Sequence, residues 1–234
     1  MGQTHFSNSS VVQVRDLAFA YADSPVFANL NLEIFSGVTL VTGEESTGKS
    51  TLLKLLAGQL HPDRGSVWYV SEDAALHKAP AEASYAASGS VYWVDPRSDQ
   101  NDALAVQAYF LQLPTLYRDF DPRALEQAIE GLGLHAHLDK AIYMLSTGTR
   151  RKVWLAGAVA SQCRLTLLDE PLAALDQRSQ AWVLEWLARM NQPSRRACVV
   201  GSYGLPGQAE SYKKILLEKS GEHASVPKPV ANRP

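Results

Sequence analysis

The chain has 234 residues, enough for one domain or one domain with a small lobe, and its 46% hydrophobic and 20% charged content excludes a wholly disordered or fibrous chain. Lys and Arg number 22 against 24 Asp and Glu, and the net charge of −2 excludes a broad basic field for nucleic acid or anionic lipid. The longest uncharged run, Ala103 to Tyr117, falls short of the roughly 18 apolar residues of a membrane span and is broken by Gln107, Gln112 and Pro114.

The first ten residues, MGQTHFSNSS, lack the basic and apolar regions of a secretory signal. Residues 11–19 favour a strand, and residues 30–35 alternate Leu30, Leu32 and Ile34 with Asn31 and Glu33, the pattern of a strand with one buried face. The uncharged run VTLV at 38–41 suits a strand buried on both faces. Leu52, Leu53, Leu55, Leu56 and Leu60 then recur at helical spacing until His61-Pro62-Asp63-Arg64-Gly65 stops the helix, and VWYV at 67–70 reads as a further strand. Residues 71–90, rich in Ala, Ser and Glu without a period, read as a surface connection, helical in part at most.

A buried strand is expected at 91–94, followed by three helices between 102 and 142 with breaks at Pro114 and at Gly131 and Gly133. Beyond them the pattern is a helix at 150–160, a strand at 165–168, a helix at 177–190 and strands at 197–201 and 215–218. Strands alternating with helices imply a mostly parallel sheet covered on both faces. Cys163 and Cys198 have neither a C-x-x-C spacing nor a neighbouring His, and are expected as buried free thiols. The tail from 221 to 234 carries three prolines and little apolar content, and is expected to be disordered.

Three segments carry chemistry. Gly43-Glu44-Glu45-Ser46-Thr47-Gly48-Lys49-Ser50, followed by Thr51, matches G-x-x-x-x-G-K-S between a buried strand and an amphipathic helix. Its glycines let backbone N–H groups wrap phosphate oxygens, Lys49 reaches the β and γ phosphates, and the Ser50 hydroxyl serves Mg2+ at a helix N-terminus. Leu165-Thr166-Leu167-Leu168-Asp169-Glu170 is an apolar strand ending in two carboxylates, where a parallel sheet delivers its ligands. Asp169 is expected to hold Mg2+ through water, and Glu170 to polarise the attacking water. Leu145-Ser146-Thr147-Gly148-Thr149 opens a helix with a hydroxyl and a glycine, an anion-binding arrangement that is weak evidence alone.

Together, GEESTGKST, LSTGTRRK, LTLLDEP and the LAALD just beyond it resemble the ATP-binding subunit of ATP-binding cassette (ABC) transporters, over about residues 11–218. The resemblance implies an α/β phosphate-loop NTPase of the ABC ATPase type, with a mostly parallel core sheet, an antiparallel β subdomain and an inserted helical lobe at about 102–145, all in one domain over 1–220. It implies ATP and Mg2+ as cofactors, a second ATP-binding subunit in a homo- or heterodimer, a separate transmembrane permease, no nucleic acid, and a peripheral place on the cytoplasmic face of a membrane. Two copies would sandwich ATP head to tail, Ser146 and Gly148 of one facing the γ-phosphate on Lys49 of the other, with Asp176 coupling the sites. Tyr21 matches the aromatic that stacks on adenine. The compact single cassette is similar to small exporter subunits such as the haem-export subunit of cytochrome c maturation.

Departures from the family pattern bear on the rate. Tyr203, in VVGSYG, stands where the family has a switch histidine; a phenol donates a hydrogen bond but does not exchange protons readily at neutral pH, so hydrolysis is expected to be slow. Asp95, with Gln100 as the alternative, stands at the lid-loop glutamine. Glu44, Glu45 and Ser46 place two carboxylates beside the polyphosphate, unfavourable unless they point to solvent. These departures keep open a second reading, a hydrolysis-impaired cassette that gates or pairs with a competent partner.

Overall fold

The computed structural model describes residues 9–22, 24–70, 76–78, 89–192, 194–206 and 212–219. Two long strands, β1 (Ser10–Tyr21) and β2 (Ser24–Phe35), pair antiparallel in the register Val12↔Ile34 and Val14↔Leu32, so the alternating apolar residues share one buried face. The other edge of β1 pairs with β4 (Arg64–Val70), and β4 with β5 (Leu76–Lys78), giving an antiparallel sheet ordered β2-β1-β4-β5. β5 corrects the expectation of an irregular, partly helical connection over 71–90: sheet pairing to Trp68, Tyr69 and Val70 overrides a local sequence with no strand period. The rest of that segment up to residue 88 lies outside the described residues, as does the tail from 220 onward.

The second sheet is parallel throughout. Its order is β6 (Val91–Tyr92), β7 (Leu165–Asp169), β8 (Ala197–Gly201), β3 (Gly37–Thr42), β9 (Lys213–Leu216). Both of its faces are buried. Val38, Leu40, Cys198 and Val200 face one apolar cluster with the helices, while Val41, Ala197 and Val199 face a second cluster with the antiparallel sheet. Helix α1 (Lys49–Leu56) lies in that second cluster, with Leu52, Leu53, Leu55 and Leu56 all but inaccessible to solvent. This explains why its leucines cover more than one stripe: a helix between two sheets is apolar on most of its circumference. Cys163 and Cys198 are buried and free, and burial raises the Cys198 thiol to about 12.

The remaining helices are α2 (Val106–Leu116), α3 (Pro122–Leu132), α4 (Thr147–Ser161) and α5 (Gln177–Met190). Between α3 and α4 come two single 3-10 turns, His135–His137 and Ile142–Met144, in place of a third helix. The expected break at Pro114 does not occur: Pro114 sits in the last turn of α2, where its missing N–H costs one hydrogen bond and the helix is about to end. Gly131 does not break α3 either. It lies inside the helix, and a Cβ there would collide with the indole of Trp182 on α5. Gly133, at φ 68°, ends α3 as a left-handed cap. Asp121 caps the other end, accepting from the Arg123 amide at 2.8 Å. Among the described residues no helix is long and apolar enough to cross a membrane.

Candidate functional site

β7, β8 and β3 lie side by side, and their carboxyl ends fall on one rung, Asp169 beside Gly201 and Gly201 beside Val41. The residues that follow each strand, Glu170, Ser202 and the 43–48 loop, are therefore neighbours at the edge where an open parallel sheet binds ligands. The Glu170 amide donates to the Gly201 carbonyl at 2.8 Å and fixes that edge.

The loop after β3 folds around its own lysine. Gly48 adopts φ 96° and Ser46 φ 63°. A Cβ on Gly48 would come within 2.8 Å of the Phe27 ring and 2.6 Å of Val26, and one on Gly43 would collide with the Leu217 carbonyl. The glycines are thus demanded by strand β2 and the chain just after β9 pressing on the loop as well as by any ligand. Thr47 Oγ1 donates to the Glu44 carbonyl at 3.0 Å, and Lys49 Nζ donates to the Gly43 and Glu44 carbonyls at 2.8 Å each. Lys49 is only 8% exposed. Glu44 and Glu45 point outward; the Glu44 side chain is 83% exposed and pairs loosely with Lys219, so neither carboxylate lines the inside of the loop.

Ser50, in the first turn of α1, donates to Asp169 Oδ2 at 2.7 Å, which joins the loop to the end of β7. Glu170 takes the left-handed φ of 45°, a strained conformation for a residue with a Cβ. Both of its oxygens are engaged: Oε2 accepts from Ser202 Oγ at 3.0 Å and Oε1 from the Tyr203 amide at 3.1 Å. The Tyr203 ring lies over Lys49, its centroid 4.0 Å from Nζ. Lys49, Ser50, Asp169, Glu170 and Tyr203 are thereby brought together.

Other candidate residues stand elsewhere. Asp95 forms an ion pair with Lys54 of α1 at 2.8 Å and accepts from the Arg97 amide. Partial burial opposes its charge, but Lys54 and that amide outweigh the burial and hold its carboxyl below the usual aspartate range. Asp95 and Gln100 line one cleft of about 130 Å3 with Trp93 and Gln59. Ser146 caps α4, accepting from the Thr149 amide at 3.1 Å, and a Cβ on Gly148 would collide with the Ala174 carbonyl. Gly148 thus faces the 171–176 turn of its own chain, and Ser146 is exposed at the start of α4. Asp176 caps α5 and pairs with Lys152. Tyr21 is 47% exposed at the end of β1, edge-on to Phe19.

Three participants escaped the sequence reading. Ser202 had a signal, since it precedes Tyr203 in VVGSYG, but only folding aims its hydroxyl at Glu170. Arg151 donates to the Ala173 carbonyl; half-burial lowers its guanidinium pKa, against the pull of the Asp169 and Glu170 carboxylates. Lys54 carried no signal beyond its place on the polar side of α1.

The arrangement suits a magnesium–polyphosphate. A hydroxyl and a carboxylate meeting at 2.7 Å are the hard oxygen donors Mg2+ takes, and the tightly wound glycine loop surrounds a buried ammonium. Comparison with known proteins agrees. The ABC transporter family model matches residues 27–173, which is 147 of the 234 residues. The cytochrome c biogenesis ATP-binding export protein CcmA of Alkalilimnicola ehrlichii is 34% identical over 181 residues, 75% of this chain and 74% of that protein. The lipoprotein-releasing system ATP-binding protein LolD of Pseudomonas fluorescens is 30% identical over 231 residues, 94% of this chain and 100% of that protein. Among solved structures, an ATP-binding subunit of an ABC transporter superposes with a TM-score of 0.74 at 18% identity, covering 88% of this chain and 85% of that one. The dimeric structure of a bacterial ABC transporter cassette does so with 0.71 at 18%, covering 88% and 94%. At such identities these two structures speak for the fold alone. The sequence match over most of the chain and the shared fold place this protein in the ABC transporter family, as an ATP-binding subunit of the ABC ATPase type.

Proposed function

We propose that the chain binds MgATP between two ATP-binding subunits arranged head to tail, hydrolyses it there, and drives a separate permease from the cytoplasmic face of a membrane. The observation that carries this reading is the 2.7 Å contact of Ser50 with Asp169 beside the buried Lys49, which joins the phosphate loop to the carboxylate strand. In this reading residues 1–220 form one cassette with a helical lobe at about 102–145.

Lys49 and the amides of residues 43–51 hold the phosphate chain, and Tyr21 offers its exposed ring to adenine. Ser50 and Asp169 would hold Mg2+, which when bound neutralises charge on the phosphates. Glu170, at the strand end, accepts the proton of the attacking water. Ser146 and Gly148 at the start of α4 face the nucleotide of the other copy, Asp176 links the two sites, and Asp95 or Gln100 senses the permease from their shared cleft. Outward-pointing Glu44 and Glu45 remove the electrostatic objection to polyphosphate in this loop.

Turnover is slow in this reading, because Tyr203 replaces a proton-exchanging imidazole with a phenol. The Tyr203 ring over Lys49 favours the second reading, a cassette that binds nucleotide and pairs with a more active subunit. Hydrolysis of MgATP measured against protein concentration, with Glu170→Gln as the blank, separates the two. A specific rate that climbs with concentration and vanishes in the blank is expected of an active homodimer. A rate equal to the blank at every concentration, with nucleotide bound, would leave only the regulatory cassette.

A further inference from the structure

Ser202 and Tyr203 touch both charged groups that the proposed hydrolysis uses. The Ser202 hydroxyl and the Tyr203 amide occupy the two oxygens of Glu170, and the Tyr203 ring covers the ammonium of Lys49. An ammonium has three donors, and two of them are spent on the Gly43 and Glu44 carbonyls. Its remaining side faces the π electrons of the ring at 4.0 Å. Lys49 is 8% exposed and Tyr203 62% exposed, so the ring is the outer layer and the ammonium the inner one. A phosphate approaching Lys49 meets the ring in its path.

The geometry points to Tyr203 as a gate that competes with the nucleotide's phosphates for Lys49, held shut by the paired hydrogen bonds of Ser202 and Tyr203 to Glu170. The ring itself has room to turn away: it is 62% exposed and is followed by Gly204, where a Cβ would meet nothing within 4 Å, while the buried Ser202 and Leu205 on either side anchor the backbone. Opening exchanges a ring–ammonium attraction for a phosphate–ammonium one, and the strength of the first subtracts from the apparent affinity of the second. Tyr203 in this role is a positioning residue that regulates access, separate from any contact of its hydroxyl with a γ-phosphate. The inference rests on the reading of Lys49 as the phosphate lysine.

The test is equilibrium binding of MgADP, which has no γ-phosphate, to the full chain and to Tyr203→Leu, Tyr203→Phe and Tyr203→Trp. Side chain 203 is mostly exposed, and circular dichroism checks that each variant folds. Removing the ring is expected to tighten MgADP about two- to fivefold, the range of an exposed cation–π contact. Phenylalanine, which keeps a ring, should bind like the parent, and tryptophan, the stronger partner for a cation, more weakly. A series that is flat, or in which leucine binds most weakly, would overturn the gate while leaving nucleotide binding intact. No binding by any of the four proteins would overturn the gate and the ATP-binding reading together.

Discussion

Asp176 shows how much one side chain at a loop end contributes. It accepts from the Ser179 amide at 2.9 Å and from Ser179 Oγ at 3.0 Å, so it caps α5, and it pairs with Lys152 of α4, so it also ties two helices together. The Lys152 ammonium, and then the Ser179 amide, hold its carboxyl far below the usual aspartate range. A carboxyl whose pKa is depressed on folding adds stability that is fully present above its unfolded value, near 3.9, and is lost as the pH falls through the folded value. Asp176→Asn, which keeps a capping oxygen but loses the charge, should therefore be less stable than the parent at pH 7 and at pH 5. The side chain is half exposed, and solvent screening limits the deficit to about 1 kcal/mol or less. Urea unfolding of both proteins measures it, and the gap should begin to close only below about pH 4. A gap that widens with acidity would contradict this account of the cap.

At the scale of elements, a polar knot adds to the apolar packing of α2 and α4 on the parallel sheet. Tyr92, at the end of β6, donates to the Trp154 carbonyl of α4 at 2.7 Å and lies 3.2 Å from the Tyr109 hydroxyl of α2. The Tyr109 ring meets Trp154 edge-on at 5.0 Å, and Gly157 supplies the space, since a Cβ there would approach the Tyr92 hydroxyl to 2.5 Å. Burial, reinforced by the neighbouring tyrosines, pushes the Tyr92 phenol well above 10, and burial pushes Tyr109 to about 12, so both remain neutral donors across the working range of pH. Tyr92→Phe leaves the knot's other polar groups buried with one partner fewer, and should cost about 1–3 kcal/mol in denaturant midpoint. Because the apolar cluster also joins these helices to the sheet, the loss should appear as one cooperative transition, and a separate early transition of the helical layer in Tyr92→Phe would show that the knot alone holds it there.

The whole molecule sets apart the groups that the proposed function brings to one nucleotide. Ser146 and Gly148 are occupied with their own α4 and 171–176 turn, whereas Lys49, Ser50, Asp169 and Glu170 gather at the carboxyl edge of the parallel sheet. In the proposed function a second copy completes this arrangement, and Glu170→Gln retains nucleotide affinity but stops turnover. Size-exclusion chromatography of Glu170→Gln with saturating MgATP should give a dimer, and without nucleotide a monomer. A monomer under both conditions would remove the head-to-tail site.

Much of this was legible because the chemistry is local in sequence. The phosphate loop is eight consecutive residues whose glycines act through their backbone and whose lysine and serine act through their side chains, and the Asp169-Glu170 pair follows directly from an apolar strand. Strand and helix periods likewise gave the parallel sheet, since a run such as VTLV has no other way to hide both faces. Local pattern failed where pairing or packing overruled it: β5 forms on the edge of β4, α2 runs through Pro114 in its last turn, and Gly131 is required by Trp182 on another helix. The same division runs through the site. Residue identities and their order came from the chain alone, because phosphate and Mg2+ demand particular donors at fixed spacing. Which carboxylate meets which partner came only from three-dimensional packing: Ser202 reaches Glu170 from 32 residues away, Asp95 turns to Lys54, and the Tyr203 ring settles over Lys49. Those contacts join neighbouring strand ends and helices, and the order of strands in a sheet is decided by the burial of all its faces at once, which no single stretch of sequence contains.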